Sequence, residues 1–394
     1  MYTQNTAVHI KLWHKNFVML AVVSMMTGLA ANMFIPVIPL WMTSVLHMST
    51  AETAAVFAAY VAGLFAPGAF CSYLVQRFRR NIVCLLAIVA MIVTLVGLPY
   101  VEGFMRQYFH NDVTAGLLMV RVLLGLTFGL SQMILSGTLI IDACQSFLRT
   151  EANHSSAWLY RFTFSLGPIA GLFVYQFWGF EAVALVAVVV SAMAAIVLLN
   201  VEFPFKAPEE NLRLMSLDRF FLPQGKWLFV NLVLLMFAVG LTFSGRYSLT
   251  FYGFMMTGFL LALLAQKFVF VQADLKSEVI TGGLLVISSL LLLLARGDME
   301  LTSFVAPVNI GIGMGIIGAR FLLFFLKLSS HCQRGTAQTT YFLATETGLT
   351  LGIAAGLMLR QTDIRMIVAL VVVCVALLMY HFFTHSWYMR HKNR

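Results

Sequence analysis

Residues 149–171 read RTEANHSSAWLYRFTFSLGPIAG, a polar run that turns apolar, holds one arginine, and closes on Gly167, Pro168 and Gly171. Residues 334–356 read RGTAQTTYFLATETGLTLGIAAG and repeat it with a constant shift of 185 positions. Arg149 falls on Arg334, Ala152 on Ala337, Asn153 on Gln338, Gly167 on Gly352, Ala170 on Ala355 and Gly171 on Gly356. Six matches in one register, each opening an apolar segment, indicate two copies of one structural unit. At one shared depth the copies differ in sign: Arg161 in the first stands where Glu346 stands in the second. An ionisable group inside an apolar segment is costly to bury and is a functional-site candidate by default.

The surrounding composition says what the solvent must be. The chain has 394 residues, 60% hydrophobic and only 10% charged, where a soluble domain carries roughly a quarter charged residues. No water-soluble fold hides that much apolar surface, so most of it faces lipid. A helix crosses the hydrocarbon with about 20 mostly apolar residues. The pattern predicts an all-α membrane protein of twelve such helices, over Phe17–Met42, Ala51–Leu74, Ile82–Pro99, Thr114–Ala143, Ser155–Trp178, Ala182–Val201, Trp227–Ser244, Ser248–Phe270, Glu278–Ala295, Ser303–Leu328, Thr336–Leu359 and Ile364–Phe383. Ser49-Thr50-Ala51-Glu52 is a capping-box pattern that satisfies free amides as the second helix begins. The run Phe17–Met42 is too long for the core of a signal peptide and is followed by more spans, so it reads as mature structure. The five cysteines show no CxxC spacing and read as small core residues rather than a disulfide frame or metal site.

An even number of spans puts both termini on one side. Arg106, Arg246, Arg296, Arg360 and Arg365 fall on one side, and Arg121, Arg161 and Arg320 within spans. The remaining lysines and arginines, among them Lys11, Arg77, Arg79, Arg80, Lys206, Arg213 and Arg394, fall on the other. That asymmetry predicts cytoplasmic N and C termini in the inner (plasma) membrane. The net charge of +9 is thereby explained by topology, with no nucleic-acid partner implied. The longest polar stretch divides the chain into a six-helix bundle (1–201), a cytoplasmic linker (202–225) and a second six-helix bundle (226–394). Gln76-Arg77-Phe78 is echoed by Gln266-Lys267-Phe268, and Gly28 by Gly240. Two parallel six-helix repeats joined by a loop form the plan of a large transporter class.

Over essentially its whole length the chain resembles the major facilitator superfamily, and three local motifs carry the likeness. The loop Ser72-Tyr73-Leu74-Val75-Gln76-Arg77-Phe78-Arg79-Arg80-Asn81 is similar to the family's basic loop motif, with Gln76 where that motif has an aspartate. Gln76, Arg77 and Arg80 are gating candidates by that resemblance. Arg121-Val-Leu-Leu-Gly125-Leu-Thr-Phe-Gly129 is similar to the arginine-glycine motif often tied to proton coupling. Thr163-Phe-Ser-Leu-Gly167-Pro168-Ile-Ala-Gly171 is similar to the glycine-proline motif associated with antiporters; Thr163 and Leu172 replace its outer glycines.

The residues themselves permit a mechanism. Pro168 removes a helix hydrogen bond and crowds the preceding turn, and Gly167 and Gly171 share a face that admits a close neighbour. A kinked, close-packed helix at the seam of the halves is where they would rock. Arg121 cannot readily lose its proton and needs a carboxylate, carbonyls, water or solute. Glu346 is the acid placed well inside a span, a candidate coupling site or else a permanent structural partner of Arg161 or Arg320. Asn32, Gln132, Asn231 and Asn309 add polar groups in path-lining spans, each also a candidate for plain helix–helix bonding. Arg121, Arg161 and Arg320 against Glu346 leave the centre positive, which favours an anionic or carboxylate-bearing solute.

No GxxxxGK loop, HExxH or clustered histidines occur in the sequence, so the reading is not an enzyme, with no catalytic residues, metal or cofactor. The two-bundle plan and the family resemblance imply a secondary active transporter working by alternating access, and the resemblance of the glycine-proline motif points to proton-coupled export of a small organic solute, by a monomer. The alternatives are uptake by proton symport and a non-transporting sensor or assembly partner.

Overall fold

The computed structural model describes residues 11–108, 113–203, 213–270, 273–296, 299–359 and 361–392. Lys206, Arg360 and Arg394, three of the charges used to orient the chain, lie outside them. Regular structure among the described residues is helical throughout. Eleven helical stretches are long and apolar enough to cross a membrane. One of them runs for 51 residues in a single pass, about 76 Å at 1.5 Å per residue and more than twice the hydrocarbon thickness of about 30 Å. It breaks at Gly179, whose φ of +79° lies in the left-handed region that favours glycine. Counting both parts gives twelve helices, as the hydropathy pattern predicts.

We number them α1 (Lys15–Ser44), α2 (Thr50–Arg77), α3 (Arg80–Tyr108), α4 (Val113–Asp142), α5 (146–178), α6 (180–199), α7 (Pro223–Phe243), α8 (Leu249–Phe268), α9 (Leu275–Ala295), α10 (Glu300–Leu328), α11 (Arg334–Met358) and α12 (Thr362–His391). The capping box forms at the head of α2, where the Glu52 carboxylate accepts from the Ser49 amide at 2.9 Å and the Glu52 amide donates to Ser49 Oγ at 3.2 Å. Rows of exposed leucine, valine and isoleucine lie on α3, α6, α9 and α12 (Leu86, Val93, Leu185, Ile196, Leu284, Val371 among them), a surface suited to lipid.

Each half is assembled through glycines that bring backbones into contact, and the second half repeats the contacts of the first. Between α2 and α4, a Cβ on Gly63 would lie 2.0 Å from the Val122 carbonyl oxygen, and one on Gly125 2.2 Å from that of Tyr60. Between α8 and α10, Gly258 and Gly311 stand in the same relation to Val308 and Met255, at 2.2 Å each. α7 and α11 meet at Gly240 and Gly352. α5 lies on α1 through Gly167, against Asn32, and Gly171, whose Cβ would lie 2.2 Å from the Met33 carbonyl oxygen.

α5 lies at the seam between halves, as expected of the glycine-proline segment, but its glycine face turns away from the seam. Gly167 and Gly171 pack α5 against α1 of their own half. They do so where α1 is interrupted at Met33. Pro36 supplies no N–H for the Asn32 carbonyl there, which loosens α1 at that turn. Pro168 is accommodated within helical backbone, since Gly179 is the non-helical residue of this stretch.

The halves meet where α2 faces α11, α5 faces α8 and α10, and α4 crosses α11. Ser165 on α5 donates to the Tyr252 carbonyl on α8 at 2.5 Å. The described part of the linker joins both halves at one end. The Ser216 amide donates to the Ala69 carbonyl at 3.0 Å, and the Arg219 and Leu222 amides donate to Thr336 and Thr340 hydroxyls at 2.8 Å each. Gly171→Leu is expected to force α5 off α1, at a cost of about 1–3 kcal/mol or more. The thermal midpoint in detergent should fall by several degrees. Gly253→Ala on α8, where an added Cβ meets nothing within 4 Å, should leave it unchanged.

Candidate functional site

Glu346 lies midway along α11 and is 3% exposed. Its Oε1 accepts from the Tyr160 hydroxyl of α5 at 2.5 Å and its Oε2 from the Tyr60 hydroxyl of α2 at 3.4 Å. Both tyrosines belong to the first half and the carboxylate to the second, so these bonds cross the seam. Phe342, one turn earlier on α11, packs on Phe128 and Tyr160 with ring centroids 5.9 Å away in each case, and screens the carboxylate from that side.

Arg121 of α4 approaches the same tyrosine, Tyr60, without a contact ion pair to Glu346. The Arg121 guanidinium lies over the Phe57 and Tyr60 rings, 4.8 and 4.9 Å from their centroids, and its Nε is buried without a hydrogen-bond partner. Among the described residues no cation lies within 4.0 Å of the Glu346 carboxylate. Tyr60 therefore touches both charges, with its hydroxyl on Glu346 and its ring under Arg121.

The other predicted cations sit elsewhere. Arg161 follows Tyr160 directly and so points about 100° away around the helix. Its guanidinium stacks 4.7 Å from the Trp158 ring, and its Nε donates to the Tyr341 hydroxyl at 3.1 Å. Arg320 on α10 is ion-paired with Glu278 on α9. Glu278 is inside a helix because α9 begins at Leu275, one turn before the predicted start. Neither arginine partners Glu346.

The predicted polar groups divide as well. The Gln132 side chain donates to the Ser24 carbonyl and Thr27 hydroxyl at 2.8 and 2.7 Å and accepts from the Ser24 hydroxyl at 2.8 Å, tying α4 to α1. Asn32 donates to Thr163 at 2.7 Å, Asn231 to the Ala376 carbonyl at 2.9 Å and Asn309 to Ser288 at 3.1 Å, each inside one half. A small cavity, with room for about one water molecule, lies between α1, α4, α5 and α11. Gln132 and Ser24 form one wall, Ser156 and Tyr160 a second, and Gln338 and Tyr341 the third. Of the residues predicted to touch solute, Gln132 lines it directly. Glu346 and Arg161 are bonded to the wall residues Tyr160 and Tyr341.

α4 crosses α11 one residue beyond Ser136 of the cavity wall. α4 carries a π-helical turn there, Leu135–Leu139, a distortion frequent at functional sites. Within that turn Gly137 meets Gly335 of α11 backbone to backbone: a Cβ on Gly335 would lie 1.9 Å from the Gly137 carbonyl oxygen. At the same end Arg80, from the basic loop, is ion-paired with Asp142 at the foot of α4. Gln76 is half-buried and Arg77 exposed. The basic cluster thus finds its acid on α4, while Gln76 stands where the family motif has its own.

The family model described as Major Facilitator Superfamily matches residues 20–357. The chain belongs to the Major Facilitator Superfamily. No curated protein matches it. Among solved structures, the POT family transporter PepTSo is similar, at 12% identity and a TM-score of 0.69, over 96% of this chain and 99% of that one. A mutant form of the nucleoside transporter NupG is similar at 15% identity and a TM-score of 0.65, over 93% and 98%. At those identities the likeness is one of fold. Membership makes this chain a multi-pass secondary transporter of small-molecule solutes, and it points away from an enzyme.

No sequence signal singled out Tyr60, Tyr160, Tyr341 or Trp158, because a tyrosine or tryptophan in an apolar span is ordinary. The role of Tyr60, Tyr160 and Tyr341 comes from facing a charge on the opposite half, and that of Trp158 from lying under Arg161 of its own helix. The α4–α11 contact yields a test. Gly335→Val places two methyl groups against backbone that cannot retreat without parting the helices. It is expected to abolish solute flux with little change in thermal midpoint, and to raise the labelling rate of a thiol introduced by Ser136→Cys. Unchanged flux and labelling would mean that this crossing is not a gate.

Proposed function

We propose that this transporter couples solute export to protons, with Glu346 carrying the proton. The observation behind this is that Glu346 is, among the described residues, the buried acid held by hydroxyls rather than by a cation: Tyr160 at 2.5 Å and Tyr60 at 3.4 Å, both from the other half. A carboxylate can accept from both hydroxyls, and a carboxylic acid can donate to one of them, so the site tolerates either protonation state. Parting the halves removes both tyrosines and wets the carboxyl. The proton's free energy then differs between the closed and opened seam, and proton binding is linked to conformation. Arg121, held over Tyr60 and Phe57, supplies a fixed positive field on the same side of the seam.

Alternating access then follows from the packing. The glycine contacts inside each half make each bundle a rigid body, while the α4–α11 crossing and the Glu346 bonds lie between them. Arg80, Arg77 and Gln76 lie at the end that this crossing closes. Export rather than uptake is supported by the resemblance of the Gly167-Pro168 segment to the antiporter motif. The basic loops support cytoplasmic N and C termini.

Two measurements in proteoliposomes test this. Glu346→Gln is expected to retain solute counterflow while losing flux driven by an imposed pH gradient; proton-driven flux at the wild-type rate would remove Glu346 from the coupling. Tyr160→Phe deletes the shorter hydrogen bond, one of the kind worth about 1.5–3 kcal/mol when one partner is charged. It should shift the pH dependence of flux while leaving counterflow largely intact.

A further inference from the structure

Arg161 is a second buried charge that the Glu346 cycle does not use. It is 3% exposed. Its Nη1 and Nη2 are both buried with no hydrogen-bond partner, as is the indole Nε1 of Trp158 beneath it. Nε alone is satisfied, by Tyr341. No carboxylate lies within 4.0 Å of it among the described residues. The opposing wall is cut back to admit the group: a Cβ on Gly318 of α10 would lie 2.7 Å from Arg161 Nε, and one on Gly315 3.1 Å from the Trp158 ring. A desolvated guanidinium with two free nitrogens is unfavourable unless an anion completes it.

Arg161 lies behind the cavity wall rather than on it. Ala157, one turn earlier on α5, and Tyr341, bonded to Arg161 Nε, both line the cavity. Arg320 is neutralised by Glu278 and Arg121 faces the Glu346 centre, so the charge left without a partner is a single positive one. The geometry points to a carboxylate-binding subsite at Arg161 Nη1 and Nη2, for a solute carrying one carboxylate and a flat apolar body. Two parallel N–H bonds match the two oxygens of a carboxylate. A dianionic phosphate would leave a surplus buried charge. Tyr160, Phe164 and Phe342 line the small cavity and offer aromatic faces to the body of the solute once the halves part, widen it and uncover the fork. This subsite rests on the carrier reading and names the class of its solute; it does not rest on Glu346 or on the direction of transport.

Benzoate is the probe, with benzamide as its neutral isostere and inorganic phosphate as the competing oxyanion. Thermal midpoints of the full-length purified protein are measured against each, together with the apparent affinity from the concentration dependence. Benzoate should stabilise the wild type, and benzamide and phosphate should not. Arg161→Gln should weaken benzoate about 30-fold or more, the loss expected when one partner of a buried charge pair is truncated. Arg161→Lys, which keeps the charge but loses the fork, keeps the test decisive if the glutamine variant does not fold, and should weaken benzoate by about tenfold or more.

No stabilisation by benzoate, equal stabilisation by benzamide, phosphate in place of benzoate, or an unchanged benzoate response in the variants would each overturn the assignment. Benzoate binding without counterflow of labelled benzoate would instead count against the carrier reading and leave the subsite standing.

Discussion

A carboxylate buried between two rigid bodies is the constraint on which this structure turns. Glu346 is carried by α11, and the hydroxyls that satisfy it come from α2 and α5 of the other half. A buried polar group without its partners is costly, so the closed seam and the solvation of Glu346 are one equilibrium. The glycine contacts keep the rest from absorbing that cost. Where backbones touch, at Gly63 with Gly125, Gly258 with Gly311 and Gly171 with Met33, small displacements are resisted, and the freedom left is motion of one half against the other.

The charges sort themselves accordingly. Arg320 and Arg80 have carboxylate partners, Glu278 and Asp142, within their own halves and serve the two bodies. Arg121 lies over aromatic rings near Glu346. Arg161 is left with two free nitrogens in a wall shared with the other half. Two unpaired arginines against one glutamate leave the seam one positive charge in excess when all are ionised. That charge lies behind the cavity wall rather than at the Glu346 centre.

Much of this was legible in the sequence, for reasons particular to lipid. Backbone groups in hydrocarbon must bond internally, so apolar runs of sufficient length can only be helices, and their number and order follow. The repeat was visible because the close-packing glycines recur in register: Gly167 and Gly171 against Gly352 and Gly356. Glu346 was legible because an acid in an apolar run has few innocent explanations. Its partners were not. The 185-residue shift set Arg161 opposite Glu346 by depth, but the residue facing Glu346 is Tyr160, one position earlier and about 100° around the helix. Arg320 read as a seam cation because Glu278 stood at a predicted helix end, whereas α9 starts a turn sooner and brings it inside. Asn32, Asn231 and Asn309 became helix–helix ties, as polar groups in such spans commonly do.

The most direct test is a double-mutant cycle between Tyr160→Phe and Glu346→Gln, read as the pH dependence of solute counterflow in proteoliposomes. The account predicts strong coupling: Tyr160→Phe shifts the pH dependence, Glu346→Gln removes it, and the pair is indistinguishable from Glu346→Gln alone. A change caused by Tyr160→Phe that persists in the Glu346→Gln background would show that the tyrosine and the carboxylate do not act as one unit across the seam, and would contradict the account.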